Sequence, residues 1–338
     1  MDTGISRRAA ARIAAGAFAA GLAGPVAATP RSVQVVQHAR LTGGDAAAGR
    51  PAVYYDVLEP AGGVTRPPIL MIHGGAHTGA CFLATADGRP GWAQHFAARG
   101  HRVLVPDWPG VGRSGGVPLD RLDGALVQAG LADVLVAAGE PAIVLAHSMG
   151  GTFGWKLLEG HGARIRKLVA VAPAPPGNIQ PAAAVVARGT GYIDVRQPAG
   201  VIRLLPDAPF FPPRAWAERK LIGTGAQFPA DRREAYLASL QPIAPRLLLE
   251  RTNVDGRQLR IADFAGFAGK PVLLVVGTDD FDHTEAADRP IVEWLNANGA
   301  DAYFLALGER GISGNGHMMM LERNSDAVAA LLAKWIDG

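Results

Sequence analysis

The stretch Ala146-His147-Ser148-Met149-Gly150-Gly151 sets a serine where an apolar run ends and helical text begins. Small residues stand two before and two after it. A turn that tight strains the serine backbone and leaves no room for bulk beside it. This is the pattern of a nucleophile elbow, with Ala146 in the place usually held by a first glycine. The free N–H groups and dipole of the following helix favour negative charge there. A simple serine cap is the plainer account of the same residues. The strand before and the helix after favour the nucleophile.

A serine needs a base to take its proton. Nine histidines are present, so position must choose among them. His317, in Gly314-Asn315-Gly316-His317, follows the last expected strand and precedes the last expected helix. That is where a Ser…acid…His chain order places the base, and Met318, Met319 and Met320 would lay soft apolar surface beside it. The base in turn needs a carboxylate to fix its tautomer and stabilise its charged form. The apolar run at residues 272–276 ends in Gly277-Thr278-Asp279-Asp280, and Asp280 is the expected acid, with Asp279 the alternative and Asp282 third. A neighbouring carboxylate is expected to raise the base's pKa, so acyl transfer should fall around neutral pH or slightly below.

A carbonyl attacked by serine becomes an oxyanion that wants preorganised N–H donors about 3 Å away. The amide of Met149 is one candidate. His73-Gly74-Gly75 ends another apolar run, and Gly75 is the other candidate, because glycine lets backbone approach a substrate closely. No cofactor is called for, and no Cys/His spacing fits a metal site.

These residues need elements to hold them. Residues 33–38 and 52–58 alternate like a hairpin. Short apolar runs at 68–72, 101–106, 142–146, 167–172, 272–276 and 302–307 alternate with helical text at 92–99, 119–138, 150–159, 290–298 and 325–336. Strands buried on both faces and separated by helices make a doubly wound, mostly parallel sheet, and ligands bind such sheets at the strands' carboxyl ends. All the chemical candidates fall there. The rhythm breaks across residues 177–265, which are proline-rich and carry helical pieces at 214–221 and 232–240. A mainly helical cap is expected there, between a first core part at 33–176 and a second at 266–338. Its Phe210, Phe211, Trp216, Leu221 and Phe228 would serve as the cap's own core or as an apolar wall of the site.

Residues 1–28 read as a signal peptide. Arg7-Arg8 follow Ser6 as in the twin-arginine route, an apolar stretch comes next, and Val26 and Ala28 fit a small-residue cleavage rule. The expectation is a periplasmic or secreted protein with no stable membrane insertion of the mature chain. Beyond that leader the formal charge is near +1, which gives nucleic acid nothing to bind. The single cysteine, Cys81, lies among apolar neighbours and reads as core.

The runs His73-Gly74-Gly75, Thr78-Gly79, Phe82, Asp87-Gly88-Arg89 and Gly91-Trp92, the run Asp107-Trp108-Pro109-Gly110-Val111-Gly112-Arg113-Ser114, and residues 314–320 with Arg323-Asn324 together resemble a branch of secreted bacterial carboxylesterases in the α/β-hydrolase superfamily. The resemblance covers most of residues 67–338. It implies a capped α/β-hydrolase fold, a triad and a small-molecule ester substrate. Two departures stand out. Some members carry paired cysteines where this chain has Gly75-Ala76, and some take a glutamate acid from the position held here by Ala172. Lactone opening, lyase or perhydrolase chemistry shares the same fold and triad, and a non-catalytic binding protein could share the fold alone. A dehalogenase would need Asp at position 148.

Overall fold

The computed structural model describes residues 34–45, 49–197 and 200–338. The leader expected over residues 1–28 lies outside them.

The strands are β1 (Val35–Leu41), β2 (Tyr54–Pro60), β3 (Arg66–Ile72), β4 (His101–Pro106), β5 (Ala142–His147), β6 (Ile165–Val171), β7 (Ala184–Gly189), β8 (Tyr192–Gln197), β9 (Gly200–Leu204), β10 (Pro271–Val276) and β11 (Asp301–Ala306). The α-helices are α1 (Ala80–Leu83), α2 (Trp92–Ala98), α3 (Gly124–Ala137), α4 (Met149–His161), α5 (Arg214–Ala217), α6 (Arg233–Ser239), α7 (Pro245–Arg251), α8 (Glu285–Ala297) and α9 (Ser325–Asp337). Eight strands form one sheet in the order β1-β2-β4-β3-β5-β6-β10-β11. β1 and β2 pair antiparallel, as do β2 and β4; every later pair is parallel.

Two apolar layers sandwich the sheet, and strand alternation decides which residue enters which layer. Leu70, Ile72, Val144 and Ala146 point into the layer with Leu131 of α3 and Phe153 of α4. Ile69, Met71, Ile143 and Leu145 point into the layer with Phe96 of α2 and Leu332 of α9. Cys81 is buried in that second layer, and burial pushes its thiol pKa up. Among the described residues no helix is long and apolar enough to cross a membrane.

The stretch between β6 and β10, expected to be mainly helical, also carries strands. It opens with the antiparallel sheet β7-β8-β9 before α5, α6 and α7. Gly189-Thr190-Gly191 supplies a hairpin turn, and Ile193 and Val195 bury one face while Arg196 and Arg203 turn out. That alternation was readable, but the surrounding prolines mask it.

Candidate functional site

Register aligns the carboxyl ends of the central strands. Ile72 pairs with Ala146, and Ala146 with Ala170, so the loops leaving β3, β5 and β6 start side by side. Each begins with strained backbone. Ala76, Ser148 and Ala172 have φ values of 63°, 55° and 43°. Positive φ at residues other than glycine costs roughly 1–3 kcal/mol each and gathers at functional sites.

Ser148 joins β5 to α4 with φ 55° and ψ −125°. Its amide donates to Val171 O and its carbonyl accepts from Ala174 N. The small neighbours are a steric need. A Cβ on Gly150 would stand 2.5 Å from His73 O and 2.8 Å from Ile72 O, and one on Gly74 would stand 2.7 Å from the Ser148 Cβ. Ala146 is fully buried at the end of β5, so a methyl is tolerated there.

The Ser148 Oγ lies 2.9 Å from His317 Nε2, and His317 Nδ1 lies 2.7 Å from Asp280 Oδ2. A carboxylate only accepts, so Nδ1 donates to Asp280 and the Nε2 lone pair faces the serine hydroxyl. Asp280 Oδ1 accepts from the amides of Asp282 and His283 at 3.1 and 3.3 Å. The structure thus brings Asp280 to His317. Asp279 instead donates its amide to Asn315 O, and Asp282 pairs with Lys220. Burial would raise the Asp280 pKa, but His317, His283 and Lys220 outweigh it and hold the carboxyl well below the usual range. For His317 the balance runs the other way from expectation. Burial lowers its pKa and overcomes the raising effect of Asp280. The imidazole is therefore neutral and the carboxylate charged at neutral pH.

The loop carrying His317 is tied to the loop carrying Asp280. Gly314 N donates to Thr278 Oγ1, and a Cβ on Gly277 would sit 2.3 Å from Asn315 O. Glu322, fully buried, was missed in the sequence. One of its oxygens accepts from Gly316 N at 2.8 Å and the other from Asn315 Nδ2 at 2.6 Å. Burial pushes its pKa up to about 7, against the pull of these donors. In Glu322→Gln an NH₂ must face one of the two donors. At pH 8 this change is expected to cost about 1–3 kcal/mol in thermal unfolding and to lower kcat through His317. Unchanged melting and unchanged kcat would remove Glu322 from this role.

Two more histidines flank the base, and neither stood out in the sequence. The His147 ring lies 4.7 Å from His317 and its Nε2 donates to His317 O. The His283 ring stacks at 5.1 Å, with Nδ1 on Asp288 at 2.9 Å. Asp280, His283 and His317 also hold their donor atoms within 4.8 Å of one another, yet Asp280 and His317 are already committed to each other.

Beside Ser148 opens a pocket. Gly75 and Met149 line it, with Ile202 of β9, Trp216 of α5, Leu221, Ile243 and Leu248 of α7 forming an apolar wall. Among the described residues no hydrogen bond takes up the amide of Gly75 or Met149. The Gly75 loop is pinned from beyond the sheet. His77 Nδ1 donates to Gly75 O at 2.7 Å, and the Tyr236 hydroxyl of α6 reaches His77 Nε2 at 2.9 Å. Of the five apolar residues singled out between β6 and β10, Trp216 and Leu221 line the pocket. Phe210 packs on Trp216, Phe228 packs on Tyr236, and Phe211 is 70% exposed.

The sheet order, the strand-end loops and a Ser–His–Asp chain define the α/β-hydrolase class. A model of the alpha/beta hydrolase family matches residues 69–331, and the chain belongs to that family. It is 26% identical over 342 residues to a probable secreted lipase, phiG, from a fungal species (strain ATCC 74256), covering 84% of this chain and 85% of that one. Its fold is similar to that of a novel bacterial esterase (TM-score 0.55, 18% identity, 93% and 99% of the two chains). It is similar also to the esterase of Exiguobacterium antarcticum (TM-score 0.57, 16% identity, 85% and 96%).

Proposed function

We propose that this chain is an exported carboxylesterase that cleaves small-molecule esters through an acyl-enzyme on Ser148. The observation that carries this reading is the continuous hydrogen-bonded chain from Ser148 Oγ through His317 to Asp280, buried at the strand ends. Ser148 Oγ attacks the ester carbonyl while His317 Nε2 takes its proton. Asp280 stabilises the imidazolium that forms. The amides of Gly75 and Met149 receive the oxyanion. Collapse expels the alcohol, which leaves with the proton from Nε2. Water then repeats the cycle on the acyl-enzyme and restores the serine. The similarity to lipases and esterases supports an ester substrate, and the description of phiG as a probable secreted lipase supports the leader expected over residues 1–28.

The test is hydrolysis of 4-nitrophenyl acetate across pH. Only neutral His317 can accept the proton, so kcat/KM must fall as pH drops through the base's pKa. Burial places that pKa below the reference value of about 6.5. The expected profile is flat from pH 7 to 8 and falls below about pH 6.5. An acid limb centred above pH 7 would contradict the electrostatics described above, and no hydrolysis at any pH would overturn the reading.

A further inference from the structure

Arg251, the last residue of α7, lines the same pocket as Ser148. It is half-buried, and its guanidinium makes no hydrogen bond or ion pair among the described residues; its backbone carbonyl accepts from Gln180 Nε2 at 2.8 Å. Burial lowers its pKa, and the charges of Asp282 and Asp288 act against that. Both carboxylates have closer partners. Asp282 pairs with Lys220, and Asp288 bonds His283. Glu250, its neighbour in α7, accepts from Gly124 N instead. The pocket therefore has an apolar wall and one cation with unused donors.

A planar guanidinium with its donors free matches a carboxylate better than any other common group, because two parallel N–H bonds can form at once. Holding such a charge half out of water without a partner costs stability, so packing alone does not account for it. Lys220, the other cation of the lining, is already neutralised by Asp282, so the site offers one anion-binding fork and no second.

We propose that Arg251 binds a carboxylate carried by the substrate, so that the ester cleaved is an anionic one, such as the half-ester of a dicarboxylic acid. This rests on Ser148 as the nucleophile, and it goes beyond it by naming the substrate's charge. Arg251 is a specificity-determining residue and takes no part in proton transfer.

Two matched pairs of esters test the proposal at pH 8. 4-Nitrophenyl hemiglutarate against 4-nitrophenyl pentanoate places the charge in the acyl part; 3-carboxyphenyl acetate against phenyl acetate places it in the alcohol. In at least one pair kcat/KM should favour the charged ester by about tenfold or more. Arg251→Met should abolish that preference, leave the neutral ester within about threefold, and melt no lower than wild type; Arg251→Lys should restore part of it. Absence of any preference in both pairs, or equal losses for charged and neutral esters in Arg251→Met, would overturn the anion site while leaving ester hydrolysis intact. Should no ester be cleaved at all, the nucleophile reading fails, and glutarate binding then judges the anion site alone. A melting-temperature rise with glutarate in wild type but not in Arg251→Met would uphold the anion site, and equal shifts would sink it.

Discussion

Ser148→Ala is expected to lower kcat by at least about 10⁴-fold, or about 5.5 kcal/mol of barrier, with the fold unchanged. The substitution keeps the Cβ and asks alanine to adopt the same φ of 55°, so the strained turn is no worse than before. It deletes the hydroxyl that faces His317 Nε2, leaving the base with nothing to deprotonate. What persists is whatever the pocket and the two amides do for a water molecule. Stability should change by only about 1 kcal/mol, the worth of one hydrogen bond. Circular dichroism and a melt alongside the kinetics separate lost chemistry from lost structure. A Ser148→Ala protein that keeps a tenth of the wild-type rate would mean the nucleophile is another group.

Asp280→Asn carries the second large effect, expected near 10⁴-fold in kcat. The reason lies in how the carboxylate is held. Its Oδ1 accepts from the amides of Asp282 and His283, and an asparagine oxygen can keep that place. The amide NH₂ must then face His317 Nδ1, which can meet it only as an acceptor. The proton moves to Nε2, the tautomer that cannot take a proton from Ser148. The imidazolium also loses its counter-charge. Asp279→Asn should be mild, since that side chain does not reach His317. Asp282→Asn should cost little beyond the Lys220 pair. Comparing the three kcat values with each fold checked decides the matter. If Asp279→Asn is the crippled variant, the strand end is right and the residue is wrong. If all three stay near wild type, the base is oriented by something else.

Much of the site is legible in the sequence because its requirements are local. The elbow needs small residues within two positions of Ser148, and the Gly75 and Asp280 loops each sit directly after an apolar strand. Position 280 could be ranked but not settled. Adjacent carboxylates in one turn differ only in direction, and direction depends on how the residue 277–280 turn packs against Asn315. His147 and His283 were out of reach because each packs on His317 from a segment distant in sequence, and Glu322, though only six and seven residues from the groups it holds, is turned back onto them by the fold of its own loop. The helix preceding β11 begins five residues ahead of its expected start at Pro290. Thr284 caps it, accepting from Ala287 N, and Pro290 is carried inside the helix. Proline reads as a start signal, and here the cap upstream prevails. Arg251 has no sequence signature at all, since an arginine closing a helix is usually no more than a favourable dipole contact. Only the pocket around it gives it another meaning.

If Ser148 is the one nucleophile, a serine-directed phosphonate must label it stoichiometrically. The protein would be treated with a 4-nitrophenyl alkylphosphonate, the release of 4-nitrophenol followed, and the product mapped by peptide mass spectrometry. The expected result is one adduct per chain, on Ser148, with activity lost in proportion to labelling and no adduct in Ser148→Ala. An adduct on a different residue, or activity that survives full modification of Ser148, would contradict it.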